Sequence, residues 1–121
     1  MNYDEHQLQE WLKEFGTEMG TQFTLDSEGL CILQTDDEHS LALFAHGDNA
    51  GFSVNAHLTE LDDDSRQLVY GKALSLNLHQ TKMKGTAIAL DEKIDQLFLC
   101  FTASFDKTDY QDFKNVLDNM V

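Results

Sequence analysis

The sequence predicts an α+β fold of order α-β-β-β-α-β-β-α, an antiparallel sheet packed by helices. Three observations carry that expectation. Apolar residues recur at helical spacing near both ends and once in the middle. Between those stretches they alternate at the period of a strand. The alternating stretches are separated by short acidic or glycine-bearing turns. With 121 residues, no proline, no repeat and no linker, the chain is expected to form one domain over 1–121.

Leu8, Leu12, Phe15 and Met19 share one helical face, which predicts a helix over about 4–19 with Asn2 or Asp4 as its N-cap. After Gly20 the period changes. Phe23-Thr24-Leu25 reads as a strand and Asp26-Ser27-Glu28-Gly29 as a turn. Leu30–Leu33 is a strand, Asp36-Asp37-Glu38 a second turn and Leu41–Ala45 a further strand. The cluster Gly47–Gly51 turns the chain again. Phe52, Val54, Ala56 and Leu58 then alternate with Ser53, Asn55, His57 and Thr59, so one face of that strand belongs to the core and the other to water.

Asp64 with Gln67 resembles a capping box and predicts a second helix over about 65–79. Its apolar residues occupy two flanks, Val69, Ala73 and Leu76 on one and Tyr70, Leu74 and Leu78 on the other. One sheet face cannot cover so wide an arc, so one flank should meet this chain's sheet and the other a second surface, such as another copy of the chain. Asn77 lies within the arc, where an unpaired amide costs about 1–3 kcal/mol. It should therefore bond a strand backbone or its symmetry mate, and would then fix the register of a dimer. Thr86, Ile88 and Leu90 oppose Ala87 and Ala89, Asp91–Asp95 turns, and Leu97, Leu99, Phe101 and Ala103 complete a hairpin whose other face carries Phe98 and Cys100. Thr108 with Gln111 forms a capping pattern ahead of Tyr110, Phe113, Leu117 and Met120, the third helix.

Composition excludes several function classes. Asp and Glu number 22 against 8 Lys and Arg, a net charge of −14 that repels phosphate backbones and anionic lipid, so neither nucleic acid nor membrane is an expected partner. The start Met1-Asn2-Tyr3-Asp4-Glu5 lacks the basic and apolar regions of a signal peptide, and no apolar run approaches the roughly 20 residues that span a bilayer, so a cytoplasmic protein is expected. Cys31 and Cys100 sit in apolar runs, where cysteine serves as a small buried hydrophobe.

No pattern of enzyme chemistry occurs. His6, His39, His46, His57 and His79 are scattered without metal-ligand spacing, Asp62-Asp63-Asp64 lacks the rest of a calcium loop, and no glycine-rich phosphate cradle is present. No catalytic residue, metal or cofactor is expected, and nothing points to use of ATP. The positive signal is apolar excess: Leu30–Leu33, Leu41–Phe44 and Leu97–Phe101 are apolar on both faces, with three helices to cover them. A patch left open would suit an extended or helical peptide.

Four local patterns then stand in order: Leu12-x-x-Phe15-Gly16; Asp26-Ser27-Glu28-Gly29-Leu30-Cys31; Ala73-Leu74-Ser75-Leu76-Asn77; and Gly85-Thr86-Ala87-Ile88-Ala89-Leu90-Asp91 before Leu97-Phe98-Leu99. Together with chain length and acidity they resemble the class I type III secretion chaperones, the Tir-chaperone-like family, over nearly the whole chain. The resemblance implies a bacterial homodimer that binds the N-terminal, non-globular segment of a secreted effector and keeps it soluble and ready for export. It implies effector contacts at Leu12, Phe15, Leu33, Leu41 and Leu43, and a dimer interface at Val69, Ala73, Leu76 and Asn77. The rival reading is an acidic inhibitor, such as a nucleic-acid mimic, or an adaptor that binds a folded partner; the inhibitor requires carboxylates gathered on one face and salt-sensitive binding.

Overall fold

The computed structural model describes residues 2–34, 40–47 and 50–120. Its elements are α1 (Tyr3–Met19), β1 (Leu30–Gln34), β2 (Ser40–Ala45), β3 (Phe52–Glu60), α2 (Arg66–Leu78), α3 (Gln80–Met83), β4 (Ala87–Asp91), β5 (Gln96–Ala103) and α4 (Tyr110–Met120). The strands form one antiparallel sheet in the order β1-β2-β3-β5-β4. The first three strands follow one another directly. The helices α2 and α3 then carry the chain out to the far edge, from which the β4–β5 hairpin returns beside β3.

The sheet's residues fall into rows. Cys31, Leu43, Val54 and Phe101 form one row across four strands, and Leu33, Leu41, Ala56, Leu99 and Ile88 form the next across five. Both face the core, where α1 contributes Leu8, Trp11, Leu12 and Phe15 and α4 contributes Phe113, Leu117 and Met120. Trp11 is the aromatic centre: its ring lies 5.9 Å from Phe52, 5.0 Å from Phe105 and 5.3 Å from Phe113, largely edge-to-face or tilted. Met19 is exposed, because Gly20 enters the left-handed region at φ 76° and ends the helix there.

Turn chemistry sets the boundaries. Asn2 caps α1, its Oδ1 accepting the Glu5 N–H at 2.9 Å while its amide donates to Glu5 Oε1. Buried Asp4 accepts the Gly51 N–H at 3.2 Å and so pins the first turn of α1 to the β2–β3 connection. Gly51 has φ 100°, and a Cβ there would lie 2.0 Å from the Ala103 carbonyl oxygen, so no other residue fits.

Several elements differ from the sequence-based expectation. Phe23-Thr24-Leu25 forms no strand. The Gln9 carboxamide of α1 occupies its main chain instead, donating to the Phe23 carbonyl at 3.1 Å and accepting the Leu25 N–H at 2.8 Å. The N-cap of α2 is Ser65, without a side-chain cap bond, and the turn before it is closed by Asp62, whose Oδ1 accepts both the N–H and the hydroxyl of Ser65 at 2.8 Å, in place of the expected Asp64 with Gln67. The capping box of α4 is Asp109 with Asp112, one residue beyond the predicted Thr108 and Gln111. A short helix, α3, follows α2 after His79. Leu58 is exposed because the β3–β5 register shifts between His57 and Thr59, and Ser53 is buried because it bonds His46 and Thr102. The expected turn Asp36-Asp37-Glu38, His39, and Asp48 and Asn49 of the Gly47–Gly51 cluster lie outside the described residues.

Candidate functional site

The sheet has a second face. Its central row is Ile32, Ala42, Asn55, Cys100 and Ala87, side by side across all five strands. Ile32 is 51% exposed, and Ala42, Asn55 and Cys100 are half-buried. The neighbouring row carries Phe44, Ser53 and Thr102, with His46 Nε2 2.6 Å from Ser53 Oγ and Ser53 Oγ 2.9 Å from Thr102 Oγ1. Toward the β4–β5 hairpin an open groove of about 590 Å³ lies over Asn55, Ala89, Phe98 and Cys100 and is bordered by the charged turn residues Asp91, Glu92 and Lys93. This face mixes apolar side chains, Ile32, Ala42, Phe44, Phe98 and Cys100, with polar and charged ones, a composition suited to a polypeptide.

The edge of β1 borders that face. Ala45 N–H bonds the Gly29 carbonyl, so odd-numbered residues of β1 pair with β2 and the even-numbered ones turn their main chain outward. Leu30 is occupied by Asp26, which accepts its N–H through Oδ1 and donates its own N–H to the Leu30 carbonyl. Ile32 has no such partner among the described residues, and its N–H and C=O are open to an added strand.

The helix α2 offers another surface, since none of its residues is buried. Arg66, the chain's one arginine, forks onto Asp95 of the β4–β5 turn at 2.5 and 2.6 Å and reaches the Tyr70 hydroxyl at 3.2 Å. The hydrogen bond from Arg66 holds the Asp95 carboxyl below its usual range and raises the guanidinium's own pKa. At the other end Asn77 bonds the main chain of Ile88 in β4. Between these ties Val69 and Ala73 are half-buried, while Leu74 and Leu78, one turn apart, are 72% and 80% exposed. Leu68 is also exposed beside an open groove of about 660 Å³ that includes Gly71, Ser75 and Leu76.

The expected site residues are therefore placed as follows. Leu12, Phe15, Leu33, Leu41 and Leu43 come together in one cluster where α1 crosses β1 and β2, but at 0–7% exposure they are the core itself and present nothing to solvent. Of the expected interface residues, Val69, Ala73 and Asn77 are half-buried and Leu76 is partly exposed; Asn77 takes the strand-backbone partner of the two foreseen. Sequence reasoning passed over Ile32, although its place between inward-facing Cys31 and Leu33 marks it as outward. Burial raises both cysteine thiols, so neither is a thiolate nucleophile. Among the described residues no group of three or more His, Cys, Asp or Glu could hold a metal, and no helix is long and apolar enough to cross a membrane.

A five-stranded sheet closed by helices on one face leaves a partly apolar second face, an edge open among the described residues and a helix bare of buried residues, the surfaces that a polypeptide-binding protein requires. Residues 10–121 match the model of the Tir chaperone protein (CesT) family, and the chain belongs to that family, one of chaperones and not of enzymes. No curated protein matches the sequence. Solved structures share the fold. A chain of the ExsC–ExsE complex aligns with TM-score 0.80 and 18% identity, covering 99% of this chain and 89% of that one. A chain of the HopA1–SchA chaperone–effector complex gives 0.73 and 18%, covering 99% and 94%. The Yersinia pestis type III secretion chaperone SycH, solved with a fragment of YscM2, gives 0.70 and 20%, covering 92% and 91%.

Proposed function

We propose that this chain is an ATP-independent secretion chaperone of the bacterial cytoplasm. It binds the N-terminal, non-globular segment of a type III effector and keeps it soluble and competent for export, with residues 1–121 acting as one unit. The observation that carries this reading is the open main chain of Ile32 beside the partly apolar outer face. An extended segment adds to β1 through main-chain hydrogen bonds and sets alternate side chains against Ile32, Ala42 and Phe44. Leu12, Phe15, Leu33, Leu41 and Leu43 back this surface from the core side and shape it without touching the client. The chaperone works as a homodimer through the Leu74 and Leu78 flank of α2. Family membership and chaperone–effector complexes among structures of the same fold support the reading.

The test is capture of bound proteins from the native bacterium, followed by limited proteolysis and repeated with Ile32→Asp. A secreted protein protected over a short N-terminal segment, and lost with Ile32→Asp, is the expected result. An intact folded partner released by moderate salt would replace this reading with that of an acidic inhibitor or adaptor.

A further inference from the structure

The edge of β1 is partly covered by the chain that leads into it. Asp26 donates its N–H to the Leu30 carbonyl at 2.8 Å and accepts the Leu30 N–H on Oδ1 at 3.0 Å, so the two residues face each other like the first rung of an antiparallel pair. The turn between them is closed on itself, with the Gly29 N–H on the Asp26 carbonyl and the Glu28 N–H on Asp26 Oδ1. Continued in the same register, the segment before this turn sets Leu25 opposite Cys31, Thr24 opposite Ile32 and Phe23 opposite Leu33. The next main-chain groups that β1 turns outward belong to Ile32, and the residue that this register brings to them is Thr24. The side chains already agree with it. Phe23 and Leu25 pack against the core that holds Leu33 and Cys31, the Phe23 ring stacked on Phe15 at 5.9 Å, while Thr24 is exposed as Ile32 is. Residues 21–25 carry no charge, and Phe-Thr-Leu suits a strand. The rung is nevertheless unmade, for no main-chain bond joins Thr24 to Ile32.

What the segment has instead is its tie to α1. Gln9 donates its Nε2–H to the Phe23 carbonyl at 3.1 Å and accepts the Leu25 N–H on Oε1 at 2.8 Å. A carboxamide that takes one carbonyl and the N–H two residues on draws both to its own side, as a neighbouring strand does, and leaves the Thr24 N–H and carbonyl to the other. Beside the tie lies an open groove of about 250 Å³, lined by Lys13 and Thr17 of α1 and by residues 21–24, so close packing does not fix the segment to the helix. Its ends are fixed, by the Thr21 N–H on the Gly16 carbonyl and by the turn at Asp26. Two bonds to Gln9 therefore stand against two bonds to Ile32, a near-even exchange that one side chain decides. We propose that residues 22–25 are a strap able to close on β1 as a sixth strand, Thr24 pairing with Ile32, and that Gln9 is the catch that holds it open. Closed, the strap covers an edge that would otherwise be a template for any strand. It then competes with the client for Ile32, a consequence that rests on the reading above that a client strand pairs there.

The experiment measures amide exchange at Ile32 and Thr24 in the full chain, without client, for wild type, Gln9→Ala, Thr24→Pro and Gln9→Ala/Thr24→Pro. Proline at 24 removes the N–H that the rung requires and neither of the bonds that Gln9 makes. Gln9→Ala should slow exchange at Ile32 by about tenfold or more, the equivalent of one gained hydrogen bond, and the added proline should return it to within about twofold of Thr24→Pro alone. An Ile32 amide no better protected in Gln9→Ala than in wild type overturns the proposal, and so does protection that survives the proline. The Thr24 amide should slow in step with Ile32, since the rung engages both; slowing at Ile32 alone refutes the strap even where the double variant does not fold. If Gln9→Ala itself does not fold by circular dichroism, Gln9→Glu takes its place, keeping the acceptor for Leu25 and losing the donor to Phe23, and the same outcomes decide. No client is present, so failure here leaves the capture experiment with Ile32→Asp to judge the client reading, and failure of that reading leaves the strap standing.

Discussion

Leu78→Asp tests the proposed dimer and the flank of α2 assigned to it. Leu78 is 80% exposed in the single chain, and full burial of a leucine is worth about 1.5–3 kcal/mol, so roughly 1–2.5 kcal/mol remains to be gained per protomer. A twofold interface uses the residue twice. Losing that contact should therefore raise the dimer's Kd by about two to three decades, and the added like charge on a protein of net charge −14 works in the same direction. Leu76→Asp, on the other flank, lies outside this interface and should leave the Kd within about twofold of wild type. Neither position is buried, so unfolding of the isolated protomer should shift by only about 0.5 kcal/mol. Sedimentation over a dilution series measures the Kd. A wild type that is monomeric throughout, or a Leu78→Asp variant that associates like wild type, would refute the reasoning. A larger effect at Leu76 would move the interface to the Val69 flank.

Three further outcomes follow from the same geometry. Leu43 is wholly buried, so Leu43→Ala should destabilise the fold by about 2–5 kcal/mol in urea, and charged substitutions at Leu41 or Leu43 should prevent folding rather than selectively remove client binding. A loss under about 1 kcal/mol would show that this row is not core. Because Arg66 depresses the folded-state pKa of Asp95 below its unfolded value near 3.9, the pair's contribution is present above that pH and lost as acidification proceeds through the lower folded value. Asp95→Asn should thus be less stable than wild type at neutral pH, with the gap narrowing below about pH 4; a gap independent of pH contradicts the ion pair's role. Salt separates the two functional readings: screening should tighten a dimer of two acidic chains and leave an apolar client complex bound, whereas an acidic mimic would release its partner.

The fold was legible in the sequence because its elements obey strong periodicities. Leu8, Leu12 and Phe15, the alternation from Phe52 to Ala56, and Phe113, Leu117 and Met120 each face where their spacing says. What sequence could not show was which of two competing local bonds wins. Asp62 rather than Asp64 precedes α2, and Gln9, fourteen residues from Phe23, takes the main chain that looked like a strand. The expected client contacts prove to be buried for a related reason. Alternation separates two faces but does not say which one the helices close, and here α1 and α4 close the face of Leu33, Leu41 and Leu43. The row of Ile32, Ala42 and Cys100 is the one left over.

That outcome explains how one small chain can keep a stable core and still offer apolar surface. Its aromatic centre of Trp11, Phe52, Phe105 and Phe113 is gathered on the closed face, so stability does not rely on the open one. The helix α2 is fastened by an ion pair and an amide at its ends, which leaves Leu74 and Leu78 free where a helix anchored by burial would have turned them inward. Polar ties cost little apolar area, and the area they spare is what a partner polypeptide can cover. The same economy makes α2 the element most exposed to change: removing Arg66 or Asn77 would release it without opening the core, so loss of partner binding with an intact aromatic centre is the signature to expect from damage there.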